Sequence, residues 1–394
     1  MKKKIFFMLI NMNVGGTEKA LLNMLSEIPT DKYDITVYML EDFGGFAPYI
    51  PKEIKVEYFP DYSKIKDTLN NPPHLTALNL LKRVRLIAAF KLIFIYTITK
   101  ITKDRSVFFN YLLRSVPKSD INYDLAIAYD GPMDFISYFI LKKVRAKQKL
   151  QWIHFDITKI GFNRKFARKT YKKFDKIFVV SNEGLGKVNT LLPSIASQTE
   201  VFSNIISTKL IYSEAKKGKG FLDEFQGIRI LTVGRLSSEK GQDIAIRVLA
   251  RLVRNGYNVK WYCVGEGNLK SSYEKLIKEE QIEDKFILLG SDPNPYTYMD
   301  QCDIYVQPSR HEGFCITLAE ARSLNKAIIT TDFTGAKEQI KNGETGLIVS
   351  CEENEIYDGI IKLINNPDLC IRFSTNLSNE SIDSTEEINK LMSI

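Results

Sequence analysis

Two doubly wound α/β domains in succession are what this 394-residue sequence predicts. Three observations predict them. Short β-rich apolar runs alternate with amphipathic stretches from end to end, the alternation lapses near residue 207 and restarts, and the charge changes sign between the halves. Such βαβ rhythm implies parallel sheets covered by helices on both faces. Residues 1–200 hold 32 Lys+Arg against 19 Asp+Glu, net +13, so the remainder is net −5, which sums to the whole-chain +8. A composition of 44% hydrophobic and 26% charged residues is ordinarily globular and excludes disordered, collagen-like and disulfide-scaffold proteins. Five cysteines with no C-x-x-C pair and three histidines suggest neither a metal site nor a disulfide framework, and free thiols fit a reducing, cytoplasmic setting. The opening MKKKIFFMLI has too short an apolar core for a secretory signal and reads as a strand.

The first domain is placed at residues 1–205. Its strands are read at 4–10, 34–40, 54–59, 123–129, 149–155, 176–181 and 200–203, with a helix from Thr17 to Ile28. Each run suits a strand buried between helical layers. A polar stretch at 207–220 reads as linker. The second domain, 206–375, has strands at 228–234, 259–265, 285–290, 303–309, 326–332 and 346–350. The remaining 376–394 reads as a terminal helix packing back on the first domain. Two such domains make a cleft at the carboxyl ends of their sheets, where ligands bind.

Residues 61–120 form an insertion with 11 Lys+Arg against four Asp+Glu and a high density of Leu, Ile and Phe. Its apolar part, 86–101, is interrupted by Lys91 and falls short of the roughly 20 residues a membrane span needs. A second basic cluster, 142–176, sets 13 Lys+Arg against Asp156 and Asp175. Two readings stay open: peripheral binding to an anionic membrane, or packing helices with solvated basic faces. No nucleic-acid-reading motif accompanies the clusters.

The most specific constellation is QPSRHEGFCITLAEARS, with Glu312 and Glu320 separated by seven residues. A strand ends, a loop carries Glu312, Gly313 and Phe314, and a helix starts at Ile316–Thr317–Leu318. Such a helix start offers N–H groups and a positive dipole end to a phosphate. Gly313 allows close backbone approach. Glu312 suits sugar hydroxyls in the cleft, and Glu320 suits a diol such as a ribose. No D-x-D occurs. Asp130, ending YDLAIAYD, either reaches the cleft or caps the next helix. His154 in QWIHFD ends a strand and by itself reads as a structural histidine beside Trp152 and Phe155; His311 receives no role.

The string E-G-F-x-x-x-x-x-E, with P-S-R before it and T-T-D-F-x-G after it, resembles glycosyltransferase family 4, retaining enzymes of the GT-B fold. VGRLSSEKGQD (233–243), VGEGNL (264–269), NGETGLIV (342–349) and the amino-terminal NVGGTEKALLNML resemble the family's other motifs in order. The resemblance implies that Arg235 and Lys240 clasp a nucleotide diphosphate, that Gly15 and Gly16 face the donor phosphates, and that His154 lies near the donor sugar or acceptor. It implies no cofactor beyond a nucleotide-sugar co-substrate, for which UDP is the expected nucleotide. The expected reaction is metal-independent, retaining transfer to a saccharide or lipid-linked acceptor in cell-envelope polysaccharide or teichoic-type glycan synthesis. Two alternatives remain: a non-catalytic glycosyltransferase-like partner subunit, and a hydrolysing sugar-nucleotide epimerase.

Overall fold

The computed structural model describes residues 2–60, 62–71, 75–76, 78, 86–380 and 385–394. The parts of the basic insertion at 61, 72–74, 77 and 79–85 lie outside the described residues. The first sheet contains β1 (Lys3–Leu9), β2 (Tyr33–Met39), β3 (Lys55–Tyr58), β4 (Asn122–Ala128), β5 (Arg145–Ile153), β6 (Lys176–Val179) and β7 (Thr199–Val201). Its order is β3-β2-β1-β4-β5-β6-β7, and its strand pairs are parallel. The second contains β8 (Ile228–Val233), β9 (Val259–Val264), β10 (Phe286–Gly290), β11 (Ile304–Gln307), β12 (Ala327–Thr331) and β13 (Leu347–Val349), in the order β10-β9-β8-β11-β12-β13.

Strand β1 shows why the apolar runs became central strands. Successive side chains point to opposite faces of a sheet. Ile5, Phe7 and Leu9 accordingly enter one buried cluster, and Phe6 and Met8 enter the cluster on the other face. Register is fixed on both sides, with Lys3 opposite Tyr33 and Ile5 opposite Leu125. In each sheet the strand order reverses beside the first strand, between β1 and β4 and between β8 and β11. A ligand crevice opens at such switch points.

The helices that position the site are α1 (Gly16–Glu27), α2 (Leu86–Thr102), α3 (Ser106–Leu112), α4 (Asp134–Lys143) and α5 (Asn182–Leu191) in the first domain. In the second they are α6 (Gln242–Arg254), α7 (Ile316–Ser323) and α8 (Ala336–Gln339). The chain passes between the domains at Ile205, buried in a first-domain cluster, and Ile206, buried in a second-domain cluster. The expected linker is in part a helix, Thr208–Ala215, opened by Ser207, whose side chain accepts from Leu210 N–H. Its apolar content is low, but Ile211 and Ala215 fall on one face and are buried. The stretch after 375 is not one helix: Phe373 and Leu377, on the helix Pro367–Ser378, pack in the second domain, whereas Leu391 on Thr385–Met392 is buried in a first-domain cluster.

The domains are joined by a polar network as well as by apolar contact. Asp156 of the first domain accepts from Lys187 Nζ and from Thr334 Oγ1 of the second, both at 2.8 Å. Glu338 on α8 accepts from the N–H groups of Asn182 and Glu183, each at 2.9 Å, where α5 begins. A carboxylate from one domain thereby satisfies the first-turn donors of a helix in the other. Burial works against the charge of Asp156, yet hydrogen bonds from Lys187, Thr158 and Thr334 outweigh it and hold its pKa well below the usual range. A depressed folded-state pKa stabilises above the ordinary carboxylate range and loses that stability in acid. Replacing Asp156 by Ala removes the acceptor that Lys187 and Thr334 share, while Lys187 keeps Glu183 at 2.7 Å and Thr334 at 2.6 Å, and should cost about 1–3 kcal/mol at pH 7. Urea unfolding at pH 7 and pH 3 checks this; the difference between wild type and variant should shrink at the lower pH.

Candidate active site

The loops that follow β1, β4, β5, β8 and β11 converge between the two sheets. Lys240 Nζ lies 2.5 Å from Glu312 Oε1, which also accepts from Ser309 Oγ at 2.8 Å. A hydrogen-bonded chain behind Ser309 fixes the position of Glu312. Gln307 Nε2 donates to Ser309 Oγ at 2.8 Å, Tyr305 OH donates to Gln307 Oε1 at 2.7 Å, and Thr331 Oγ1 donates to the Ser309 carbonyl at 2.5 Å. These polar side chains are buried where β11 ends, so the network is satisfied inside the domain. Burial disfavours the charge on Lys240, but Glu312 offsets that and raises its pKa, so the lysine stays cationic. Lys240 ends a short turn followed by Gly241 at φ 72°, where a Cβ would lie 2.0 Å from the Pro308 carbonyl oxygen. Only glycine brings the β8 loop this close to the β11 loop.

Two helix N-termini face each other across the cleft. Neither α1 nor α7 has a side-chain cap. They begin close together: a Cβ on Gly16 would lie 3.6 Å from Ile316 Cγ2, and one on Gly15 would lie 3.5 Å from Arg235 Nη2. Arg235 is exposed at this junction. Gly15, Gly16, Arg235, Lys240, Ile316 and Thr317 thus share one positive focus, where two dipoles and two cations reinforce each other. Leu318 departs from the expectation. Its N–H already donates to the Cys315 carbonyl at 3.2 Å and its side chain is fully buried, because the helical bonding pattern starts one residue earlier.

Gly313 and His154 meet backbone to backbone. A Cβ on Gly313 would fall 1.9 Å from the His154 carbonyl oxygen. The Phe314 carbonyl accepts from Gln339 Nε2, and its ring packs between core clusters of both domains. The His154 ring lies 4.6 Å from Tyr129 and nearly parallel to Trp152 at 6.2 Å. Burial pushes its pKa down to about 3, so it is neutral at physiological pH, and Nε2 is buried without a hydrogen-bond partner. His154 is therefore packed like a structural residue on one side and has an unused nitrogen. Phe155, expected to pack beside it, is instead about half exposed.

Glu320 departs from the simple expectation of an open diol clamp. It is 1% exposed, and its Oε1 accepts from Tyr296 OH at 2.8 Å. Burial raises its pKa against the effects of Lys19 and Tyr296. Lys19 reaches over from α1, 4.9 Å from the Tyr296 ring centre. A diol here has to displace or share the Tyr296 bond, a competition that the spacing of the two glutamates does not reveal.

Four participants escaped the sequence reading. Ser309 positions Glu312, Lys19 and Tyr296 gate Glu320, and Glu18 carries a strained charge at the cleft. Burial first, and then Asp130, raise the pKa of Glu18 to about 7, with its own backbone hydrogen bonding and Arg235 opposing the shift. Asp130 is itself raised by burial; it caps no helix, and its Oδ2 accepts from Ile10 N–H at 3.2 Å, tying β4 to the loop after β1. Glu18 lies inside the quoted NVGGTEKALLNML string, but its partner is 112 residues away, so no local pattern marks it.

Residues 220–379, most of the second domain, match the model of the family glycosyl transferases group 1. The chain as a whole has the GT-B fold. It superposes on the structure of Anabaena Alr3699/HepE in complex with UDP and glucose with a TM-score of 0.74, covering 99% of this chain and 98% of that one at 18% identity. In sequence it is 33% identical over 201 residues to the N-acetylgalactosamine-N,N'-diacetylbacillosaminyl-diphospho-undecaprenol 4-alpha-N-acetylgalactosaminyltransferase of Campylobacter jejuni. That match spans 50% of this chain and about half, 53%, of the Campylobacter protein. An uncharacterized glycosyltransferase of Haemophilus influenzae is 25% identical over 94% of this chain and 93% of its own length.

The raised pKa of Glu18 has a definite sign. A carboxyl whose folded pKa lies above its unfolded value stabilises below the unfolded pKa and loses that contribution as pH rises through about 7. Glu18→Gln, which removes the charge, should gain about 1–3 kcal/mol over wild type at pH 8 and nothing at pH 4. Thermal melts across that range check the prediction; a gap that does not grow with pH contradicts it.

Proposed function

We propose that the protein transfers a sugar from a nucleotide-sugar, with UDP as the nucleotide, to a saccharide or lipid-linked acceptor. The setting we propose is cell-envelope polysaccharide or teichoic-type glycan assembly on the cytoplasmic side. The observation that carries this reading is the positive focus formed by Arg235, Lys240 and the uncapped starts of α1 and α7 beside Glu312. Breaking a glycosyl–phosphate bond puts negative charge on the departing diphosphate, and donors already aimed there stabilise the transition state. The chain's own cations supply that charge, so the reaction is metal-independent.

Transfer proceeds with retention. The bond from the anomeric carbon to the diphosphate oxygen breaks, a bond to the acceptor oxygen forms on the same face, and the acceptor's proton passes to the leaving phosphate. Positioning and electrostatics are then the protein's main contributions. Glu312, held by Lys240 and Ser309, accepts sugar hydroxyls, and the neutral His154 offers Nε2 to the sugar or acceptor. The UDP and glucose bound by the Anabaena protein support the donor class, and the undecaprenol named in the Campylobacter relative supports a lipid-linked acceptor.

A melting panel of UDP, GDP, ADP, dTDP and CMP tests the donor. UDP at about 100 times its dissociation constant should add ~2.7 kcal/mol, and Lys240→Ala should abolish most of the shift; stabilisation by GDP alone would reassign the nucleotide, and no shift with any nucleotide would favour a non-catalytic partner subunit. In turnover assays with UDP-sugars, Glu312→Gln and Lys240→Ala should each lower kcat by roughly 10²–10³. Chelator should leave turnover unchanged, and free sugar released without an acceptor would point to a hydrolysing epimerase. A trapped covalent glycosyl-enzyme would overturn the same-face mechanism.

A further inference from the structure

Helix α2 has two apolar faces, and the domain uses only one. Ala89, Leu92 and Ile95 are buried, and Leu92 and Ile95 enter the first-domain core with Phe108, Phe109 and Leu112 of α3. On the far side Ile87, Phe90, Phe94 and Ile101 are 86%, 68%, 67% and 76% exposed. At 3.6 residues per turn these four fall within about 60° of arc, a continuous ridge along a helix roughly 25 Å long. Lys91 and Lys100, both exposed, flank the ridge on opposite sides. The sequence from Pro72 to Lys103 contains six Lys+Arg and no Asp or Glu.

We propose that this ridge docks the protein on an anionic lipid bilayer, with α2 lying in the interface and its lysines on the headgroups. Contiguous exposed apolar surface marks a protein- or membrane-contact site, and apolar burial flanked by basic residues is what holds a helix at a lipid surface. The helix lies on the membrane and does not cross it: among the described residues no helix is long and apolar enough to span. A second copy of the chain is a poor occupant. Two-fold pairing places the same patch against itself, which would bring Lys91 and Lys100 beside the ridge together with the same two cations of the other copy.

The docking face is tied to the cleft. Just beyond α2, Arg105 pairs with Asp134 at 3.2 Å, at the start of α4 and four residues after Asp130. A lipid-linked acceptor held in the bilayer is then presented near the cleft rim, although docking itself does not depend on the transfer reaction proposed above.

Co-sedimentation of the full chain tests the proposal, using vesicles of phosphatidylcholine alone and of phosphatidylcholine with phosphatidylglycerol in equal parts. Wild type should favour the anionic vesicles and be released by high salt. The pair Phe90→Ser and Phe94→Ser should weaken binding to anionic vesicles by roughly tenfold or more. The pair Lys91→Gln and Lys100→Gln should reduce the anionic preference by roughly 20-fold and leave neutral-vesicle binding unchanged. Melting temperatures equal to wild type establish that the variants fold, and wild-type turnover on a soluble acceptor shows that docking and transfer are separable. Failure of wild type to sediment with anionic vesicles, or undiminished binding by the folded Phe variant, overturns the proposal. A lipid-free dimer in sedimentation velocity that the Phe substitutions dissolve also overturns it and assigns the ridge to a second copy.

Discussion

The architecture turns on bringing the unpaired starts of two helices, α1 and α7, together across a cleft. Neither N-cap residue, Gly15 or Cys315, makes a side-chain cap, and helix starts of this kind suit a polar or anionic group. The close approach explains the small residues around it. Gly16 admits Ile316, Gly313 lies on the His154 backbone, and Gly241 draws the Lys240 turn onto Pro308. Side chains at these positions would separate the loops or the domains.

This positive potential is partly neutralised by carboxylates from both domains. Glu312 is held against Lys240, and Glu18 and Asp130 feel the field of Arg235. The two kinds of carboxylate differ physically. Glu312 has a cation at hydrogen-bond distance and a polar network behind it, whereas Glu18 is crowded by burial and by another acid, so its charge is destabilising near neutral pH. The Asp156 and Glu338 contacts, at the edge of this focus, join the two domains through satisfied hydrogen bonds. The domain interface therefore combines a strained polar centre with a well-satisfied polar edge.

The two faces of the first domain are chemically unlike. Its strand ends form the cleft, and its inserted helix α2 turns an apolar ridge with basic flanks outward. The high apolar content of the insertion reads equally as core or as lipid contact, since periodicity reports that a helix has apolar faces and not which neighbours cover them.

The sequence by itself determined the two parallel sheets, because runs such as KIFFMLI and IRILTVG have no stable place except between helical layers. It also determined the residues of the β8 and β11 loops, because Arg235, Lys240, Glu312 and Gly313 lie in short, ordered strings whose spacing reflects local strand-to-helix geometry. Only the tertiary structure decided how those strings meet. The engagement of Glu320 by Tyr296 and Lys19, the burial of the helix within the supposed linker and the raised pKa of Glu18 depend on neighbours dozens to more than a hundred residues away. Local periodicity carries propensity and face, whereas burial, competition for hydrogen bonds and electric field are sums over everything within a few ångströms in space, and a linear sequence does not contain those sums.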